Sequence, residues 1–191
     1  DVLNLKMNMR PDQKIINHKP YIVVFTNFSI SNRSEYYSID FKQQEIKIIE
    51  KSNIINYDSE FIKFNNTVCD QNKLLADYKK MIFFLSKKFS KINIIIRPHP
   101  SESLKFWEDN FCDFHNVFIT QYGSSSDWIV ESECIIHSGS TTGIESYYLG
   151  KPTILYNSIK NYKVMPLTKS VSLECNSLDQ LEEYLNDIIL N

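Results

Sequence analysis

The residues best suited to chemistry fall in five short segments, each directly after a run of apolar, mostly β-branched residues. They are Thr26-Asn27-Phe28-Ser29, Arg97-Pro98-His99-Pro100-Ser101-Glu102, Gln121-Tyr122-Gly123-Ser124-Ser125-Ser126, His137-Ser138-Gly139-Ser140-Thr141-Thr142-Gly143 and Tyr156-Asn157. Hydroxyls and small side chains dominate them. Three of the chain's four glycines lie in them. The fourth segment is the most specific. Gly139 and Gly143 would let a ligand come close to the backbone. A helix opening at the segment's end would present unpartnered N–H groups, which favour an anion. Ser138, Ser140 and Thr141 add hydroxyls, so the chemistry expected is binding of a phosphate or diphosphate. The same residues also suit a capping box, with Thr142 as N-cap and Glu145 at N3. The two uses draw on different donors and are compatible. The segment has no G-K-[ST] and no G-x-G-x-x-G, which speaks against a motor-type NTPase and a dinucleotide dehydrogenase.

Pro98 and Pro100 flank His99 and restrict the backbone around it. At the end of an apolar run and near Arg97, His99 is placed to donate to phosphate oxygens or to protonate a leaving group. A loop histidine held by a structural hydrogen bond is the plainer reading. Glu145 also has two readings: an acceptor for ribose or sugar hydroxyls, or only the capping-box partner. His137 reads as a strand-end residue satisfied by a neighbour, His115 as a surface turn, and His18 as part of a lead-in. Trp107 and Trp128 lie in amphipathic stretches and read as packing residues. Cys69, Cys112, Cys134 and Cys175 are widely spaced with no C-x-x-C, which argues against zinc. No Asp-x-Asp pair calls for a metal.

The elements that must position these segments alternate regularly. Apolar, non-alternating runs predict strands near residues 21–26, 92–97, 116–120, 134–137 and 153–156, with a short sixth near 171–173. Leu74, Leu75, Tyr78, Ile82 and Leu85 recur at three- and four-residue steps and predict a helix over 66–90. Further helices are expected over 103–111, from a Ser126 cap through Glu131, over 143–149 and over 177–190. Gly150 followed by Pro152 marks a helix stop. A loop over 31–38 and a helix over 41–55 complete the pattern. Strands that are apolar throughout must be covered on both faces. The fold class is therefore α/β, a doubly wound parallel Rossmann-like sheet. Residues 1–19 read as a linker or lead-in and residues 20–191 as the domain. In such a sheet, ligands bind beyond the carboxyl ends of the strands, where all five segments fall.

Composition narrows the classes further. The chain has 191 residues, 42% hydrophobic and 23% charged, as in an ordinary globular domain. Its net charge of −2 offers no basis for general nucleic-acid or membrane-surface binding. No apolar run approaches the roughly 20 residues of a spanning helix. Four glycines and a single alanine, Ala76, stand against many Asn, Ile and Lys. That bias reads as an AT-rich coding genome, in which individual Asn and Lys residues carry little weight. The first residues lack the pattern of a secretory signal, and a reducing cytoplasmic setting is expected. A start at Asp1 rather than Met is expected of a processed chain or a piece of a longer one.

Arg97-Pro98-His99-Pro100, together with the run from His137 through Ser138-Gly139-Ser140-Thr141-Thr142-Gly143-Ile144-Glu145 to Gly150-Lys151-Pro152-Thr153-Ile154, resembles the nucleotide-sugar-binding half of GT-B glycosyltransferases. The resemblance is to bacterial surface-carbohydrate and capsule enzymes of the Kdo-transferase-like, sialyltransferase-like and teichoic-acid glycerophosphotransferase-like groups. UDP-GlcNAc 2-epimerases have a related arrangement. The likeness is specific over residues 92–157 and extends over 20–190 as element order. It implies one Rossmann-like half of a GT-B fold that binds a CMP- or UDP-linked sugar and transfers the sugar in surface polysaccharide biosynthesis. The implied donor and phosphate ligands are Arg97, His99, Ser138, Gly139, Ser140, Thr141, Thr142 and Glu145. His99 and Glu145 are the catalytic candidates, and Asn27, Tyr122, Gly123, Ser124 and Asn157 would lie near the base or sugar. No cofactor beyond the nucleotide sugar and no metal is implied. The glycan acceptor would come through an amino-terminal domain or a partner chain, since the chain has room for one such half. A cytoplasmic place follows, with peripheral association of the full-length protein at the inner face of the membrane left open. The alternatives are a UDP-GlcNAc 2-epimerase-like enzyme and a non-catalytic nucleotide-binding Rossmann module.

Overall fold

In the computed structural model, the described residues are 20–32, 57–160 and 162–190, without the side chains of 57–65 and 190. The lead-in over 1–19 and the helix expected over 41–55 lie outside them, as does most of the loop over 31–38.

Six strands form one sheet: β1 (Tyr21–Phe25), β2 (Asn93–Arg97), β3 (Val117–Ile119), β4 (Cys134–His137), β5 (Thr153–Tyr156) and β6 (Leu173–Cys175). Every pairing is parallel. The order across the sheet is β3-β2-β1-β4-β5-β6. β1, β2, β4 and β5 are buried along their whole length. That is the physical basis of their unbroken apolar runs, because both faces are covered.

Alternate residues of β1 feed two cores. Ile22 and Val24 face the larger one, packed against α1 (Tyr57–Lys88), α2 (Leu104–Phe111) and α6 (Leu178–Leu190). Tyr21, Val23 and Phe25 face the smaller one, which Trp128 and Ile129 of α3 (Ser125–Glu131) close. α4 (Thr142–Tyr148) and the short α5 (Pro166–Ser170) complete the chain.

Several boundaries differ from the sequence reading. α1 begins at Tyr57, nine residues before the expected start, because the Asn65-Asn66 pair does not break a helix whose later turns are anchored by Leu74, Tyr78 and Ile82. α3 is capped by Ser124, which accepts the Asp127 N–H at 3.2 Å, and not by Ser126. Three consecutive serines offer the same chemistry, and only the backbone path selects among them. α5 was not anticipated; its signal was Pro166 at the first turn. β6 lies two residues later than expected, because Ser172 is held by His137.

Candidate functional site

β1 and β4 are neighbours in the sheet, and the chain leaves them in opposite directions: β1 leads toward β2 and β3, β4 toward β5 and β6. This reversal opens a crevice beyond the paired residues Phe25 and His137. The loops after β1, β2 and β4 border it. With strands about 4.8 Å apart, the β2 and β4 loops stand roughly 10 Å apart across Asn27, which is exposed.

His137 is fully buried and sets the shape of the β4 loop. Its Nδ1 accepts the Gly139 N–H at 3.0 Å, so the ring hydrogen sits on Nε2. Nε2 donates to Ser172 Oγ at 2.9 Å, and the Ser172 hydroxyl donates to the Thr168 carbonyl at 2.6 Å. Burial pulls the His137 pKa down to about 4. The ring is a neutral strut with both nitrogens engaged.

The glycines of this loop are needed by the protein's own packing. Gly139 has φ +103°, and a Cβ there would lie 2.9 Å from Val164 Cγ1. A Cβ on Gly143 would lie 2.5 Å from His137 Cε1 and Nε2. Val164 and His137 occupy the space a side chain would take at these two positions. The capping box does not form. Thr141 stands at the N-cap position with no side-chain cap bond, and the Ser140 and Thr142 hydroxyls bond each other. Glu145 instead accepts the Ser125 hydroxyl at 2.7 Å, from the first turn of α3. The Gly143 and Ile144 N–H groups turn back to the carbonyls of Ser140 and Thr141, while helix geometry leaves the Thr142 N–H without an intrahelical acceptor. Ser138 points its hydroxyl at Tyr78, whose own hydroxyl donates to the Tyr156 carbonyl.

The β2 loop is equally ordered. Arg97 is buried, and its two amino groups donate to the Tyr122 and Gly123 carbonyls, the latter at 2.9 Å. Its guanidinium lies 5.4 Å from the centre of the Trp128 ring. Burial lowers its pKa to about 10. With these two bonds to carbonyls, Arg97 holds the β3 loop. Trp128 Nε1 donates to the same Tyr122 carbonyl at 2.9 Å. This clamp carries the Tyr122-Gly123-Ser124 segment from the edge strand back across the sheet, so that Ser125 meets Glu145.

His99 is exposed. Its Nδ1 accepts the Ser101 N–H at 3.2 Å and lies 2.6 Å from Ser101 Oγ, which leaves Nε2–H free to donate outward. Its carbonyl accepts from Gln121 Nε2 and from the Glu102 N–H, each at 2.8 Å. Asn157 follows β5 on the same rim, with Oδ1 turned onto the Ile159 N–H at 3.1 Å.

Sequence reasoning missed the residue with the densest bonding at this rim. Glu102 is 1% exposed. Its Oε1 accepts from Thr26 Oγ1 at 2.8 Å and from the His99 N–H at 3.0 Å. Its Oε2 accepts from Trp107 Nε1 at 3.2 Å and Asn32 Nδ2 at 3.4 Å. Burial raises its pKa, and these donors oppose the rise. The available signal was an acidic residue next to a proline-stiffened loop with no basic residue between it and the following helix.

An apolar groove lined by Phe83, Phe84 and Leu178 with four lysines lies along the carboxyl half of α1. Among the described residues no His, Cys, Asp or Glu cluster suits a metal, and no helix is long and apolar enough to cross a membrane.

The fold is an α/β parallel sheet of the Rossmann-like kind that forms one half of a GT-B protein. No family model and no curated protein matches the chain in sequence. Among solved structures it is similar to a UDP-GlcNAc 2-epimerase from Neisseria meningitidis bound to UDP-GlcNAc, at TM-score 0.51 and 12% identity, over 99% of this chain and 40% of that one. It is also similar to the Methanocaldococcus jannaschii UDP-GlcNAc 2-epimerase in complex with UDP-GlcNAc and UDP, at TM-score 0.51 and 14% identity, over 100% of this chain and 45% of that one. Staphylococcus aureus MnaA with UDP follows at TM-score 0.55 and 9% identity, over 96% and 41%. The chain thus spans less than half the length of these proteins, and at such identities the likeness is one of fold.

Proposed function

We propose that this domain binds a nucleotide sugar, UDP- or CMP-linked, as the donor half of a GT-B glycosyltransferase of surface polysaccharide assembly. The reversal of strand order between β1 and β4, with a hydroxyl-rich loop on one side and His99 on the other, carries this reading. Fold likeness to proteins whose structures hold UDP-GlcNAc and UDP supports it. In this reading His99 Nε2–H and the Ser140-Thr141-Thr142 segment meet the phosphates. Glu145, held by Ser125, takes the ribose hydroxyls. Asn27, the Tyr122-Gly123-Ser124 loop and Asn157 border the base and sugar. Ser138, Gly139 and Arg97 act through the loops they hold. His99 would stabilise charge on the departing nucleotide. The acceptor would come from a second half of the protein, at the inner face of the membrane.

A second reading, a UDP-GlcNAc 2-epimerase, is favoured by the epimerase structures named above. Turnover of the sugar nucleotide by the longer protein without any acceptor would select it.

Calorimetry with UDP and CMP tests the nucleotide reading. His99→Ala is expected to raise the dissociation constant about ten- to hundredfold, because one charge-assisted hydrogen bond is worth ~1.5–3 kcal/mol. The melting temperature should hold, since the ring is exposed. Absence of binding by the unaltered chain, or a lowered melting temperature with unchanged affinity, would reject the assignment.

A further inference from the structure

We propose that Glu102 is the positioning residue of the nucleotide site: one buried carboxylate that clamps the β1 loop to the β2 loop and thereby fixes where His99 stands. The inference rests on the nucleotide-binding reading for its consequence, but not for its geometry.

The two loops have little other reason to keep register. Beyond the strands, the backbone bonds between them are Thr26 N–H to the Arg97 carbonyl at 3.2 Å and Ser103 N–H to the Asn32 carbonyl at 3.3 Å. Glu102 fills the gap between these. From the β1 side it receives the Thr26 hydroxyl and the Asn32 amide. From the β2 side it receives the His99 N–H, and from α2 the Trp107 indole. Every group facing the carboxylate is a neutral donor, and only an acceptor-only side chain satisfies them all. Phe28 and Trp107 are themselves fully buried, with ring centres 6.4 Å apart, so the β1 loop is held from below while Glu102 holds it from the side.

His99 is the element that gains a function from this. Its N–H is on Glu102 Oε1, its carbonyl takes the Glu102 N–H, and its ring is locked onto Ser101 within the same turn. Pro98 and Pro100 stiffen the turn but cannot place it. Placement relative to Asn27 and the β4 loop comes from the carboxylate. A glutamine there has the same shape but turns one oxygen into a donor facing donors, leaving at least one buried group unsatisfied.

The experiment has a ligand-free arm and a ligand arm, both on the chain as it stands. In the first, amide hydrogen exchange is compared between the unaltered chain and Glu102→Gln. The His99 amide should exchange at least tenfold faster, while the amides of Val23, Ile95 and Ile136 keep their rates. Equal acceleration everywhere, or none at His99, overturns the clamp. In the second arm, UDP and CMP are titrated into Glu102→Gln, His99→Ala and the double variant. Glu102→Gln should weaken binding about tenfold, and the double variant should bind no worse than His99→Ala alone. Fully additive losses show that Glu102 does not act through His99 and overturn the proposal. If Glu102→Gln does not fold, Thr26→Val, which removes one donor, should show both effects at reduced size. Failure of the unaltered chain to bind either nucleotide overturns the nucleotide reading and with it the positioning role, while the exchange arm still decides the clamp.

Discussion

Gly143→Ala is expected to destabilise the domain by about 3 kcal/mol, the upper part of the range for overpacking a close-packed site. In an exposed first turn the same change would be favourable, because alanine is the better helix former by roughly 1 kcal/mol. The sign reverses here because the new methyl would lie 2.5 Å from two atoms of the His137 ring. The ring cannot turn aside. Gly139 holds one nitrogen and Ser172 the other. Urea unfolding of a double-mutant cycle with His137→Ala measures the effect. Once the ring is gone the alanine should cost little, leaving a coupling of about 2–3 kcal/mol between the sites. An equal cost in both backgrounds would mean that the helix start and the ring are not in contact.

The second large effect is a dependence of stability on pH. His137 has an ordinary value of 6.5 in the unfolded chain and about 4 in the folded one, because burial disfavours the charged ring. The folded state therefore binds fewer protons than the unfolded state between these values. The contribution of the neutral ring is fully present above pH 6.5. It declines as pH falls and is gone below about 4, a total of about 3 kcal/mol. Protonation of Nδ1 would also face the Gly139 N–H with a second donor, so the β4 loop should lose its shape along with stability. His137→Asn keeps an acceptor for Gly139 but has no titration in this range. Its stability should be lower at pH 7 and fall less steeply toward pH 4. Parallel pH profiles for the two chains would show that other groups carry the acid sensitivity.

Much of the architecture is local information. β1, β2, β4 and β5 are buried at every position, and their apolar residues run consecutively because each strand is covered on both faces. That excludes the alternating pattern of a half-solvated sheet, and with it the antiparallel folds. The stop at Gly150 is equally local: its φ of +71° suits glycine, and Pro152 forbids continuation. The placement of the hydroxyl-rich segments after strands follows from the same runs, so the rim of the sheet is legible in the sequence.

Which rim residues remain available was decided by tertiary structure alone. Arg97, Glu102 and His137 look alike in sequence, as polar residues at strand ends. Their partners lie 25 or 26, 76 and 35 residues away, at Tyr122 and Gly123, Thr26 and Ser172. No spacing rule reaches that far, because such contacts depend on strand order, and strand order depends on where each crossover packs. The glycines make the same point. Gly139 and Gly143 are small on account of Val164 and His137, and a missing side chain carries no mark of what fills its place. The sequence by itself determined where hydroxyls and backbone N–H groups would gather beyond the strands, since periodicity and turn chemistry act over a few residues. Only the packed sheet decided which side chains were free to join them, since burial commits a polar group to whatever partner the fold brings within 3 Å.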